Sequence, residues 1–145
     1  MKCARFHVAI LWVAGLNILG VAAGDARSAH QTASAESAIF GDWRGESICL
    51  VRESACHDED SLYHVNKMAG KPGWVSMKLD KIVNGEPVTM GVMDCSYIAA
   101  KQSLNCEFPR GVMRFTVGDN KMQGTMTLPD GTLWRKITLR KTSAS

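Results

Sequence analysis

From Ser47 onward the chain alternates between apolar and polar positions, and turn residues cut the alternation into short runs. The runs predict strands over residues 47–52, 62–68, 74–82, 88–98, 103–108, 112–117, 122–128 and 133–141. Residues 74–82 show the pattern best. Val75, Met77 and Leu79 fall on one face, and Ser76, Lys78 and Asp80 on the other. Met113, Phe115 and Val117 alternate with Arg114 and Thr116 in the same way. In the last run Leu133, Arg135, Ile137 and Leu139 share a face, against Lys136 and Thr138. Ala69-Gly70-Lys71-Pro72-Gly73, Asn84-Gly85, Gly118-Asp119-Asn120 and Pro129-Asp130-Gly131 supply the turns, Asn84-Gly85 being a hairpin signal. Gly124 interrupts its run and marks a bend or bulge.

No amphipathic helix interrupts these runs, so the expected fold is all-β: a single antiparallel meander of about eight strands. Closing a meander into a barrel removes its exposed edges. An eight-stranded barrel is wide enough for side chains to fill it or for one small ligand.

The first residues follow a different pattern. Met1-Lys2-Cys3-Ala4-Arg5 is basic, Val8 to Ala23 is mostly apolar with Asn17 inside it, and Val21-Ala22-Ala23-Gly24 is small. That order is the order of a secretory signal peptide over residues 1–24, with cleavage near Gly24 or Asp25. The apolar run falls short of the roughly 20 residues of a spanning helix, so no stable membrane insertion is expected after cleavage. Residues 25–38 are rich in Ala and Ser and read as a flexible tail, followed by a barrel domain over 39–145.

Composition adds limits. The 145 residues are 46% hydrophobic and 21% charged, an ordinary balance for one globular domain. The net charge of +3 falls to +1 when Lys2 and Arg5 leave, which gives no electrostatic basis for nucleic-acid binding.

Cys49, Cys56, Cys95 and Cys106 remain after Cys3 is removed. An even set in a small exported domain indicates two disulfides, with three possible pairings. Cys49–Cys56 and Cys95–Cys106 is the favoured pairing, because each brackets a short loop or hairpin. If Cys95 faces Cys106, then Tyr97 faces Leu104 and Met93 faces Phe108, and all six side chains lie on one face. A soft metal site from Cys49, Cys56, His57 and His64 is the rival reading, but it lacks Cys-x-x-Cys spacing.

Candidate chemistry is sparse. No nucleophile, phosphate-loop or zinc-protease motif is present, and no catalytic set or cofactor is expected. His57-Asp58-Glu59-Asp60 reads as a solvated loop, and His64 as a core or rim histidine. Arg135 stands out because alternation turns it inward. There it either binds a ligand carboxylate or pairs with an acid such as Glu107 or Asp94. Met77, Met93, Tyr97 and Phe115 join Arg135 as candidate ligand contacts. The wider methionine set (Met68, Met90, Met113, Met122, Met126) suits an adaptable lining or plain core filling.

Gly41-Asp42-Trp43 before the first predicted strand resembles the Gly-x-Trp opening of lipocalin-type barrels. The resemblance implies that Trp43 closes one barrel end and that a basic residue near the end of the last strand stacks on it, Arg140 or its neighbour Lys141. The pattern Gly-Asp-Trp-x-Gly with its paired cysteines also resembles small exported bacterial proteins of unassigned function. A second resemblance is to secreted bacterial inhibitors of metalloproteases, whose free N-terminal tail enters the protease cleft. It implies a protein partner for residues 25–37. The expected function is therefore a non-enzymatic binding module of the periplasm or cell exterior. Its ligand is a small apolar or amphiphilic molecule, the alternatives being a protein-binding barrel and a structural envelope barrel.

Overall fold

The computed structural model describes residues 38–142. Residues 1–37, which hold the expected signal segment and almost all of the expected tail, lie outside the described residues. Eight strands follow one another: β1 (Gly41–Cys49), β2 (Glu59–Lys67), β3 (Trp74–Val83), β4 (Glu86–Ile98), β5 (Ser103–Phe108), β6 (Gly111–Val117), β7 (Lys121–Thr127) and β8 (Leu133–Lys141). Each pairs antiparallel with the next, and β8 pairs with β1, which closes the meander into a barrel. Asn84 and Gly85 both take positive φ, the conformation a two-residue hairpin between β3 and β4 requires.

The disulfides are Cys49–Cys56 and Cys95–Cys106. The first ties the end of β1 to the loop before β2. The second links directly opposed residues of β4 and β5, where Tyr97 also faces Leu104. The expected Met93–Phe108 pair is not in this ladder, which stops at Cys95 and Cys106. Continuing the register would set Asp94 against Glu107, two like charges, and Val92 against Pro109, which has no N–H to donate.

β1 starts six residues earlier than the pattern suggested and ends at Cys49. Residues 41–46 contain one large apolar side chain, Trp43, so they show no alternation by hydrophobicity. Their inward positions are Trp43, Gly45 and Ser47. Gly45 is opposite Leu139 of β8, at the seam that closes the barrel. A Cβ there would overlap the Thr138 carbonyl oxygen, so the two backbones approach closely only because glycine is present.

One barrel end is closed. Ile39 and Trp43 are fully buried there, with Val65, Leu104, Met122 and Leu139. The Trp43 indole N–H donates to the Ile39 carbonyl at 2.8 Å. Lys141 Nζ lies 5.5 Å from the Trp43 ring centroid and donates to the Ala38 carbonyl at 2.6 Å. The basic cap expected of Arg140 is thus made by Lys141. Ile137, Leu139 and Lys141 share the inward parity of β8, which leaves Arg140 exposed between them.

The middle of the barrel is filled. Tyr63 and Phe115 meet edge to face, with centroids 6.4 Å apart. Gly124 is no bulge, since its register with Phe115 and Ile137 is regular. It makes room for the Phe115 ring, which a Cβ would strike.

The outer face carries one buried carboxylate, Asp80, 1% exposed. His64 Nδ1 lies 2.7 Å from Asp42 Oδ1, and His64 Nε2 lies 3.1 Å from Asp80 Oδ2. Lys78 Nζ is 3.0 Å from the same Asp80 oxygen. His64 is therefore a half-buried bridge between β1 and β3 and does not face the core. Burial works to raise the Asp80 pKa, but hydrogen bonds from Lys78, Thr89 and His64 outweigh it and hold the carboxyl below its usual range. A carboxylate so depressed contributes stability above its unfolded pKa, and that contribution is lost as pH falls through the folded value. Asp80→Asn should lower stability at neutral pH by roughly 1–3 kcal/mol. It should also flatten the acid limb below about pH 4. Urea denaturation of both proteins over that range checks it, and parallel acid limbs would contradict it.

Candidate ligand cavity at the open barrel end

The opposite end is not filled. A cavity of about 400 Å³ opens there, within the range of small-molecule sites. Its wall is apolar: Leu79 from β3, Met90 and Met93 from β4, Met113 from β6, Met126 from β7 and Trp134 from β8. Phe108 and Arg110 stand at the rim beside the interrupted β4–β5 ladder. Because the ladder is interrupted, Val92 of β4 also reaches the cavity, although alternation turns it outward, and it is 63% exposed.

Two bulges shape this end. Leu79 pairs with Gly91 and Asp80 with Thr89, so Met90 is an extra residue in β4. Met126 pairs with Arg135 and Thr127 with Leu133, so Trp134 is an extra residue in β8. A bulge reverses the facing of the side chains beyond it. Leu133, expected on the inward face with Arg135, is consequently exposed, and Trp134 lines the cavity.

One side is polar. Arg135 is 12% exposed. Its Nη1 donates to the Ser47 carbonyl and hydroxyl at 3.2 and 3.1 Å, and its Nη2 donates to Glu59 Oε1 at 3.1 Å. The acid that pairs with Arg135 is Glu59, not Glu107 or Asp94. Glu59 is the first residue of β2 and shares its inward parity with Ser61 and Tyr63, whereas Glu107 and Asp94 lie on the outward parity of β5 and β4. Burial pushes the Tyr63 phenol up to about 12, so this group is neutral at ordinary pH.

Of the five candidate contacts read from the sequence, Arg135 and Met93 line the cavity. Met77, Tyr97 and Phe115 do not. They are buried in the filled part of the barrel, in one core cluster with Cys95 and Cys106. Inward facing alone does not distinguish the two, since Met93 lines the cavity and its register partner Met77 does not. Glu59 and Ser47 were legible in principle, by extending the period of two backward from Tyr63 and forward from Trp43.

The comparisons with known proteins decide nothing further. No family model matches the chain, and no curated protein matches it. The lipocalin-type resemblance therefore stands on the eight-stranded antiparallel barrel and its Trp43 closure. One rival reading ends here. Cys49 and Cys56 are bonded to each other, and both ring nitrogens of His64 face carboxylates, so these residues do not form the soft metal site considered above. Two disulfides fit an extracellular or periplasmic location. Among the described residues no helix is long and apolar enough to cross a membrane.

Proposed function

We propose that the chain is an exported, non-enzymatic, lipocalin-like binding module for a small apolar or amphiphilic ligand held at the open barrel end. The observation that carries this reading is the division of the barrel. One half is packed and capped by Trp43, and the other is a largely apolar cup with one polar side. A barrel built only for stability gains nothing from leaving that volume unfilled, because interior voids forfeit packing contacts.

The test uses Gly91. It lines the cup, and a Cβ there meets nothing within 4 Å. Phenylalanine at this position adds a ring to the cup from a Cβ that meets no backbone. Wild-type protein should bind an uncharged apolar dye such as N-phenylnaphthylamine saturably. Gly91→Phe should weaken that binding roughly tenfold or more while the melting temperature holds, since about 1.4 kcal/mol of lost contact suffices. Equal dye binding by Gly91→Phe would place the dye elsewhere and sink the proposal.

A further inference from the structure

The polar side of the cavity carries information about the ligand's head, beyond the general reading on which this inference rests. Three neighbouring strands supply it: β8 gives Arg135, β1 gives Ser47 and β2 gives Glu59. The guanidinium is already neutralised by Glu59 at 3.1 Å. Tyr63, close by on β2, is kept neutral by its burial, and Ser47 contributes a hydroxyl and a carbonyl. This side therefore holds one positive and one negative charge beside neutral polar groups.

We infer that the cup selects amphiphiles with an uncharged head that both donates and accepts hydrogen bonds, such as an alcohol or a primary amide, over carboxylates and amines of the same chain length. A carboxylate reaching the ion pair must displace Glu59 from Arg135 or sit beside it as a second anion in a site with little water to screen the repulsion. An ammonium head meets the mirror problem at Arg135. A hydroxyl meets neither. It accepts from the guanidinium, whose three bonds to Ser47 and Glu59 use two of its three nitrogens, and it donates to the carboxylate.

An anionic head held instead by exposed Arg110 at the rim lays the alkyl chain against the ion pair. Those charges would lose their remaining water and gain no hydrogen bond in exchange. With the head on the ion pair, the chain lies against Met90, Met93, Met113 and Met126 and exits past exposed Val92.

The experiment is displacement of bound N-phenylnaphthylamine by dodecanol, dodecanoate and dodecylammonium, with wild type and Glu59→Gln. Wild type should rank dodecanol ahead of both charged compounds by roughly tenfold or more. Glu59→Gln removes the pair's anion and leaves Arg135 unbalanced, so dodecanoate should overtake dodecanol. Dodecanoate matching or beating dodecanol on wild type overturns the inference, as does a ranking unmoved by Glu59→Gln. Should that variant not fold, the wild-type ranking decides alone. A wild-type protein that binds the dye but releases it to none of the three compounds overturns head selection and leaves the cavity reading in place. A wild-type protein that binds neither dye nor any of the three overturns the cavity reading itself.

Discussion

Trp43→Ala should lower the unfolding free energy by about 4 kcal/mol, the largest loss expected of any single truncation in this barrel. Trp43 is fully buried and closes the packed end. Its removal deletes the largest side chain of the core and leaves a cavity that β-strands cannot collapse into. It also strands the Ile39 carbonyl, which accepts the indole N–H at 2.8 Å, and removes the ring under Lys141. Against a total stability of about 5–15 kcal/mol such a loss is large. Urea unfolding checks it: the midpoint should fall sharply with the slope unchanged. A midpoint within error of wild type would show that the closed end is not held by Trp43.

Gly45→Ala should be the second most damaging change, at roughly 3 kcal/mol, the upper end of ordinary overpacking. One methyl group is added, but it meets backbone. It would overlap the Thr138 carbonyl oxygen and lie 3.0 Å from the Leu139 Cα. Relief requires β1 and β8 to separate, and that pair is the only seam joining the two ends of the meander. Gly91→Ala is the matched control. It also adds a methyl group to a strand glycine, but into open space, so stability should hold or rise by a few tenths of a kcal/mol. If both changes had equal effects, backbone approach at the seam would not be what Gly45 provides.

Much of the fold was legible in the sequence because period-two alternation is strong wherever both faces of a strand differ. β3, β5, β6 and β8 show this, and the Cys95–Cys106 register followed from asking which pairing also clusters Tyr97 and Leu104. β1 was displaced because Gly45 and Ser47 occupy its inward face beside Trp43, and hydrophobicity does not mark glycine or serine as inward. The site was less legible, for a different reason. Met90 and Trp134 enter the cavity through bulges, and a single extra residue leaves no signature in the pattern. Arg135 was visible as an inward cation, but its partner Glu59 sat in an acidic run that looked wholly solvated. Alternation marks neither which inward positions line the cavity, as with Met93 and its register partner Met77, nor where the β4–β5 ladder stops. Asp94, Glu107 and Pro109 explain that stop once the register is known.

The central claim is that a ligand occupies the open end and leaves the closed end untouched. The methionine methyl groups report on both ends at once. Met90, Met93, Met113 and Met126 line the cavity, and Met122 is buried near the Trp43 cap. The most direct measurement is therefore a titration of methyl-labelled methionine followed by NMR, with dodecanol as the added compound. The expected result is a saturable shift of the Met90, Met93, Met113 and Met126 signals with Met122 unmoved. Shifts spread equally over all of them, or none at the cavity set at millimolar dodecanol (on the order of a very weak complex), would contradict the account.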